Sequence, residues 1–566
     1  MNYLLSDLFS ALLALTFVYA AFVTIVAPRL NPLQHLAGPP NLGWFKNHLR
    51  AILDPAVSPQ MHEYFIHKYG RSIRIQGVGP WDVRLLTLDP VSVAHVLKNS
   101  TVYEKPWQSR RLITSLIGCG MLAAEGHVHK RQRRVSTPAF SIQNLRALVP
   151  LVFNKGNELK DKWMQIANTS SGPLTIDVCH WISRATFDVI GLAGFDYNFN
   201  AIEDESNELF CAYKEMFEVG ISQSHPFRTI FRIYSPFLSS LFPDSTLSTI
   251  QRCQVVIHRV AGQLIQEKKL KIAQGLKAGI PYGGRDLLSL LLKSNVATDL
   301  PVDERISDTD ILHNINTFMF AGSDTSSLSL TWTLLLLAQN QAAQDRLRAE
   351  LLSVSPTTSG NLAHLTEDEI HSLYAIISNL PCLHNVVRES IRLIPPVHSS
   401  IRVATQDDEV PVSYSVHARD GTVLDQKSTI TVPKGSFVHV AVEGFNLDKT
   451  IWGDDAWEFV PDRWDHLPES ATELPGLFSN TLSFSAGPRS CIGMRFSMIE
   501  IKTFLYLLVT KFIFQTTQDK IIKANVVLTR PYISGRYKEG SQCPLIILPL
   551  NAQADAAGPQ GNVGNV

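Results

Sequence analysis

Phe484-Ser-Ala-Gly487-Pro-Arg489-Ser-Cys491-Ile-Gly493 is the stretch on which the reading turns. It sets one cysteine between two glycines, just ahead of an apolar, helix-forming run, MRFSMIEIKTFLYLLV (494–509). A helix N-terminus offers unpaired N–H groups and the positive end of the helix dipole, and both favour a thiolate over a thiol. Gly487 and Gly493 let the backbone bend tightly and approach a flat ligand closely. Arg489 adds a cation beside an anionic sulfur. A lone cysteine at a helix start is ordinarily a structural residue. This spacing points to a ligand sulfur.

Other segments work outward from that one. Glu389-Ser-Ile-Arg392 places opposite charges three residues apart on one helix face, a pair worth roughly a few tenths of a kcal/mol when solvated. The helix around it is apolar, so burial is expected. Phe459-x-Pro461-Asp-Arg463-Trp464 follows downstream. Ala321-Gly322-Ser323-Asp324-Thr325 interrupts a long apolar helix from Ser307 to about Leu337 with small and polar residues. Hydroxyl–backbone bonding can distort a helix at such a point and open room for a small molecule. His129 and Arg133 stand four apart, and Arg402 follows the helix stop at Pro395-Pro396.

In this order and context the segments resemble the cytochrome P450 family. The pattern Phe484-x-x-Gly487-x-Arg489-x-Cys491-x-Gly493 is similar to its haem-binding signature. The resemblance implies a mainly α fold with a minor β part and one N-terminal transmembrane helix. It implies Cys491 as the axial thiolate ligand of a haem b iron, with Phe484, Gly487 and Gly493 shaping the loop. A thiolate ligand pushes electron density toward the iron and favours O–O cleavage. Arg489, Arg133, Arg402 and His129 would meet the haem propionates, although His129 stands where the family usually has tryptophan. Glu389, Arg392 and Arg463 would form a buried triad that supports the fold. Asp324 would relay protons and Thr325 would hold or protonate bound dioxygen, which is general acid catalysis through a short hydroxyl chain.

The activity implied is insertion of one oxygen atom from O2 into a lipophilic small molecule, such as a terpenoid or another secondary metabolite. The chain has no flavin or nicotinamide fingerprint, so NADPH would act through a separate NADPH–cytochrome P450 reductase, with cytochrome b5 as a further donor. Lys130, Arg131, Arg134, Arg495 and Lys502 are candidates for the basic docking patch. The substrate pocket would draw on a 105–124 loop, the 205–245 region, residues 316–321 and 397–401, and the turn near Ile533-Ser534. Two rivals stay open. One is a haem-thiolate isomerase or dehydratase that needs no O2, against which Asp324 and Thr325 argue. The other is a non-catalytic haem- or lipid-binding protein.

Composition bounds the alternatives. Of 566 residues, 45% are hydrophobic and 18% charged, which is globular and not disordered. Lys plus Arg and Asp plus Glu both count 51, so net charge points to no nucleic-acid partner. The 7 cysteines contain no CxxC pair, which argues against a disulfide scaffold or structural zinc. Residues 8–27, LFSALLALTFVYAAFVTIVA, are uncharged, and about 20 such residues span roughly 30 Å of helix. The nearest basic residues, Arg29, Lys46 and Arg50, all follow the run. The positive-inside rule then places residues 1–7 in the lumen and the body in the cytosol, as for an endoplasmic reticulum protein. A cleaved signal peptide is the alternative, but no basic residue precedes the run.

The remaining division is a proline-rich hinge at 28–45, a catalytic domain at 46–550 and a disordered tail at 551–566. Strands are expected at SIRIQGV and VRLLTL, a helix at VSVAHVLKN, and mostly helix from 141 to 300 with loops around 222–245 and 273–285. A helix through LPCLHNVVRESIRL precedes strands over 401–443, with Asp420-Gly421 and Pro433-Lys-Gly435 as turns.

Overall fold

The N-terminal apolar run forms helix Asn2–Ala21, a π-helical stretch Phe22–Val26 and a last turn Ala27–Leu30. Among the described residues, the apolar span long enough to cross a membrane is Ser10–Leu30, with mean hydropathy 2.2 and only Pro28 buried. Helix therefore begins before residue 8 and runs past Pro28 to Leu30, into the first residues of the stretch expected as a hinge. Proline has no N–H to give and clashes with the preceding turn. Here Ala27 N–H reaches back to the Phe22 carbonyl, and the wider π turn admits the ring at the start of the last turn.

The structure is a computed structural model that describes residues 2–44, 46–169, 173–219, 234, 245–277, 284, 286–296, 301, 305–354, 365–424, 429–472 and 474–550. The expected tail lies outside these residues, as does most of the 222–245 loop. Of the expected loop at 273–285, residues 273–277 belong to helix Ser245–Lys277, and most of the rest lies outside the described residues.

The chain divides into two units. The first comprises Met1–Pro106, Val397–Trp457 and Pro468–Ser490. Its core is a five-stranded sheet. Ser72–Gln76 pairs antiparallel with Val83–Thr87, which pairs parallel with Phe437–Val440. Phe437–Val440 in turn pairs antiparallel with Ser400–Ala404, and Tyr103–Glu104 closes the edge. Every residue of the first two strands is buried. Arg74 is tolerated there because Asn41 accepts from it at 2.7 Å and the Pro39 carbonyl at 3.3 Å.

The second unit comprises Trp107–Pro396, Glu458–Leu467 and Cys491–Val566. It is helical, with a three-stranded sheet of Phe512–Thr516, Pro544–Pro549 and Leu174–Asp177 and a hairpin of Ile521–Val526 with Leu528–Ile533. Its long helix, Asp308–Gln339, starts at a capping box: Asp310 N–H donates to the Ser307 hydroxyl, and the Asp310 carboxylate accepts from Ser307 N–H. The helix is buried on nearly all sides, as its apolar sequence requires. It is tied to helix Pro381–Leu393 by a 2.7 Å bond between Thr333 and Ser390 hydroxyls. The latter helix stops before Pro395, whose carbonyl accepts from the Thr529 hydroxyl at 2.8 Å.

The hydroxyls of the long helix do bond back to its own carbonyls: Ser323 to Met319, Thr325 to Ala321 and Ser329 to Thr325. The helix nevertheless stays regular through the 321–325 segment, so the expected local distortion is not found. Gly322 has another reason. A Cβ there would meet the Ile190 side chain at 2.8 Å, so glycine lets helix Val178–Phe195 lie close alongside.

Candidate active site

In the first unit, the loop before the cysteine is clamped by Asn446. Leu482 N–H donates to Asn446 Oδ1 at 3.0 Å, and Asn446 Nδ2 donates to Ser483 Oγ at 2.9 Å. The Phe484 ring meets Phe478 edge-on at 5.3 Å. Ser485 is held at φ 60°, a conformation that costs a non-glycine residue about 1–2 kcal/mol. Gly487 follows at φ 68°, and a Cβ there would stand 2.4 Å from the Leu97 carbonyl oxygen. Glycine is required twice over, by conformation and by space. Arg489 ends the short turn Gly487–Arg489.

Arg402 of the same unit is buried on strand Ser400–Ala404. Its guanidinium donates to Ser400 Oγ at 2.6 Å and to the Ile401 carbonyl at 3.0 Å. No carboxylate pairs with it among the described residues, and burial pulls its pKa down to about 10.

In the second unit, Cys491 precedes helix Met494–Val509 by three residues. Solvent contact reaches the side chain, yet protein crowds the sulfur closely enough to raise its pKa. Both hold for a group on the floor of a recess. Burial is the larger effect; Gly493 N–H, the Arg133 guanidinium and Met494 N–H pull the other way. The thiolate-favouring groups expected at a helix start are thus present but outweighed. A bound metal ion reverses such a balance, because it is often the largest local charge and deprotonates a coordinating thiol. His129 and Arg133 lie four apart on helix Gly126–Ser136 and share a face. Burial lowers the Arg133 pKa, opposed by Cys491.

Glu389, Arg392 and Arg463 meet in the interior of this unit. Arg392 donates to the Glu389 carboxylate through Nε at 2.9 Å and Nη2 at 2.8 Å, and Arg463 Nε donates at 3.3 Å. Two further donors carry no charge: Trp464 Nε1 at 3.1 Å and Val460 N–H at 3.1 Å. The carboxylate is therefore surrounded by N–H groups, as a buried charge requires.

Asp324 does not stand open. Its carboxylate is ion-paired with Arg530 of strand Leu528–Ile533. Thr325 donates its hydroxyl to the Ala321 carbonyl at 2.8 Å. Asp324 and Arg530 line a cavity of about 60 Å3 together with Tyr213, Phe217, Phe320 and Ser323. Its aromatic wall is ordered by a stack of Phe217 on Phe320 at 4.0 Å and by a bond from Tyr213 Oη to Asn316 Oδ1 at 3.0 Å. A larger, open hollow of about 570 Å3 is lined by Trp107, Arg110, Arg111, Cys119, Ala124 and Val128. That is within the usual size of small-molecule sites, about 300–1,000 Å3.

Several expectations need correction. The 105–124 segment is not a loop, since Trp107–Ile117 is a helix between Pro106 and Gly118. A stretch of eleven residues free of Pro and Gly is enough to fold as helix there. Lys502 is not a surface cation. It is buried, donates to the Ser378 carbonyl at 2.6 Å, and has its pKa lowered by burial to about 8. Arg131 is engaged with Asp310 at 2.8 Å. Lys130, Arg134 and Arg495 are exposed. Arg530 and Asn446 were not found from sequence, because each reaches its partner from a distant part of the chain; Trp464 stood in the quoted motif, but its bond to Glu389 was not expected.

Two features suit the haem that the resemblance implies. Cys491 has N–H groups of Gly493 and Met494 that favour its thiolate, the form that binds iron. Arg402 is a buried cation without an acidic partner, which an anionic group such as a propionate would satisfy.

Comparison with known proteins agrees. The family described as Cytochrome P450 matches residues 36–533. Cytochrome P450 monooxygenase 205 of Postia placenta is 36% identical over 545 residues, covering 94% of this chain and 96% of that protein. Cytochrome P450 monooxygenase 128 of the same fungus is 34% identical over 534 residues, covering 92% and 94%. A protein named ganoderic acid synthetase, from Ganoderma lucidum, is 31% identical over 551 residues, covering 93% and 95%. A match across this much of the chain, with relatives this similar along their whole length, places the protein in the cytochrome P450 family, as a haem-dependent monooxygenase of fungal type.

Proposed function

We propose that the protein inserts one oxygen atom from O2 into a C–H or C=C bond of a lipophilic small molecule, a terpenoid or another secondary metabolite. NADPH supplies the electrons through NADPH–cytochrome P450 reductase, with cytochrome b5 as a further donor. Cys491 carries this reading: it stands three residues before helix Met494–Val509, and Gly493 N–H, the Arg133 charge and Met494 N–H all favour its thiolate. A relative named for ganoderic acid supports a secondary-metabolite substrate. So do the apolar Phe217 and Phe320 faces beside Asp324.

Haem, when bound, supplies the oxygen-activating chemistry. Cys491 holds it as a thiolate. Arg133, His129, Arg402 and Arg489 would provide donors for its carboxylates. Glu389, Arg392 and Arg463 fix the fold around the site. Thr325 Oγ1 releases its bond to the Ala321 carbonyl and donates its proton into the site. Asp324 Oδ2 restores that proton from water in the 60 Å3 cavity once its pair with Arg530 opens. The N-terminal helix anchors the chain in the endoplasmic reticulum membrane with the catalytic domain in the cytosol. Lys130, Arg134 and Arg495 form the exposed basic surface for the reductase.

The test is product formation in membranes that hold the protein, a reductase and candidate lipophilic substrates. Product should require both NADPH and O2. Thr325→Ala should keep its haem and divert electrons to peroxide, so product per NADPH falls. An unchanged product yield per NADPH would remove Thr325 from this role, and turnover without O2 would favour an isomerase or dehydratase.

A further inference from the structure

Asn446 grips the loop ahead of the cysteine, yet the helix that carries it, Val442–Asn446, is only five residues long. Helices shorter than about 12–15 residues are marginal on their own. Asn446 can fix the loop only as firmly as its own helix is fixed. All five residues of that helix are buried. Three contacts from the same unit reach it. Ser58 Oγ, at the start of helix Ser58–Tyr69, donates to Glu443 Oε2 at 2.8 Å across 385 residues of sequence. His62 stands four residues on in that helix and so shares the face of Ser58. A Cβ on Gly444 would lie 2.5 Å from His62 Nδ1, so the imidazole lies against the short helix where glycine leaves room. Glu443 N–H donates to the His398 carbonyl at 2.8 Å.

Ser58, His62 and Glu443 are all at most 3% exposed. Neither ring nitrogen of His62 has a hydrogen-bond partner among the described residues. Burial lowers its pKa to about 4, against the pull of Glu443, so the ring is neutral at pH 7. A neutral ring without a hydrogen bond acts here by shape. Glu443 and Asn446 are three residues apart, about 4.5 Å along the axis of a single turn. One turn cannot absorb a shift between them, so moving Glu443 moves Asn446. The loop beyond has little freedom either. Ser485 and Gly487 both hold positive φ, and Gly487 lies against the Leu97 carbonyl. A shift of Asn446 is therefore passed along toward Ser490 and the cysteine after it.

We propose that Ser58, His62 and Glu443 are positioning residues for the haem ligand: they seat helix Val442–Asn446 and, through Asn446, the loop that delivers Cys491. The first turn of helix Ser58–Tyr69 thus sets the geometry of a sulfur more than 400 residues further along the chain. This inference rests on the reading of Cys491 as the iron ligand.

The experiment is the carbon monoxide difference spectrum of reduced, full-length, haem-loaded protein, read beside unfolding in denaturant. Wild type should show only the strongly red-shifted band of a thiolate ligand. In Glu443→Ala and Gly444→Ala, part of the haem should move to a band without that shift, the mark of a neutral ligand. Glu443→Gln keeps an oxygen for Ser58 and should stay close to wild type. Ile430→Ala is the control for general loss of stability. It is a buried residue on the separate two-stranded sheet of Asp408–Pro411 with Thr429–Val432. It should lower the unfolding midpoint and keep the red-shifted band whole. If Glu443→Ala does not hold haem, Ser58→Ala takes its place, since it removes the bond and leaves the carboxylate. A whole red-shifted band in the variants that hold haem, or an equal loss of it in Ile430→Ala, would overturn the proposal. Failure of the ligand reading would show separately, as absence of the band in wild type itself.

Discussion

Glu389 and Glu500 are equally shut off from solvent, both at 0% exposure, yet their surroundings are opposite. Glu389 accepts from two arginines, a tryptophan and a backbone N–H within 3.3 Å. Among the described residues, Glu500 has no donor within good hydrogen-bond geometry, and only the Ser326 hydroxyl opposes the effect of burial. The same side chain is an ionised hub in one place and a neutral acid in the other. Burial alone does not assign a role to a carboxylate; the number of donors turned toward it does. A saturated carboxylate has no proton to give and serves the fold. An unsaturated one holds a proton and is available to chemistry.

The comparison breaks first at Glu389. Glu389→Ala leaves two buried guanidinium groups without their counter-ion, a loss of about 3–5 kcal/mol. Denaturant unfolding should show that loss, and the variant should fail to retain haem. Normal haem content with a wild-type midpoint would mean the triad is not the support described here.

A pH series sharpens the contrast at Glu500. Burial pushes its folded pKa up to about 8, above the ordinary glutamate value of 4.5. A raised acid contributes stability that is full below the unfolded pKa and is lost as pH rises through the folded one. Relative to Glu500→Gln, wild type should therefore lose stability between about pH 4.5 and about 8. Parallel stability curves over that window would mean Glu500 is not held neutral.

Trp464→Phe is the mildest of the set. It removes one uncharged donor and leaves the arginines in place, so the cost should be about 1 kcal/mol. A loss as large as that of Glu389→Ala would show that the donors act as one unit and not as a sum.

Much of this was legible in the chain. The long helix was readable because it has an apolar run and no proline; the 381–393 helix because two prolines stop it. The cysteine loop was readable because glycine, arginine and cysteine stand at fixed spacing there. The missing parts are of two kinds. Asn446 reaches Leu482, Trp464 reaches Glu389 and Arg530 reaches Asp324 over separations of 36, 75 and 206 residues, which no local pattern carries. Lys502 and Glu500 differ, because a signal was present. They sit in MIEIKTFLYLL, where Thr503 is the one other polar residue, and a helix apolar nearly all round is interior. The basic residue was read by its charge, when its neighbours already placed it inside. At Pro28 a rule true of ordinary helices gave way to a π turn.

The most direct test of the central claim is the carbon monoxide difference spectrum of the reduced, membrane-expressed protein beside Cys491→Ala. Thiolate ligation predicts a strongly red-shifted Soret band in wild type and none in the variant. A folded, haem-loaded wild type without that band, or a variant that keeps it, would contradict Cys491 as the ligand.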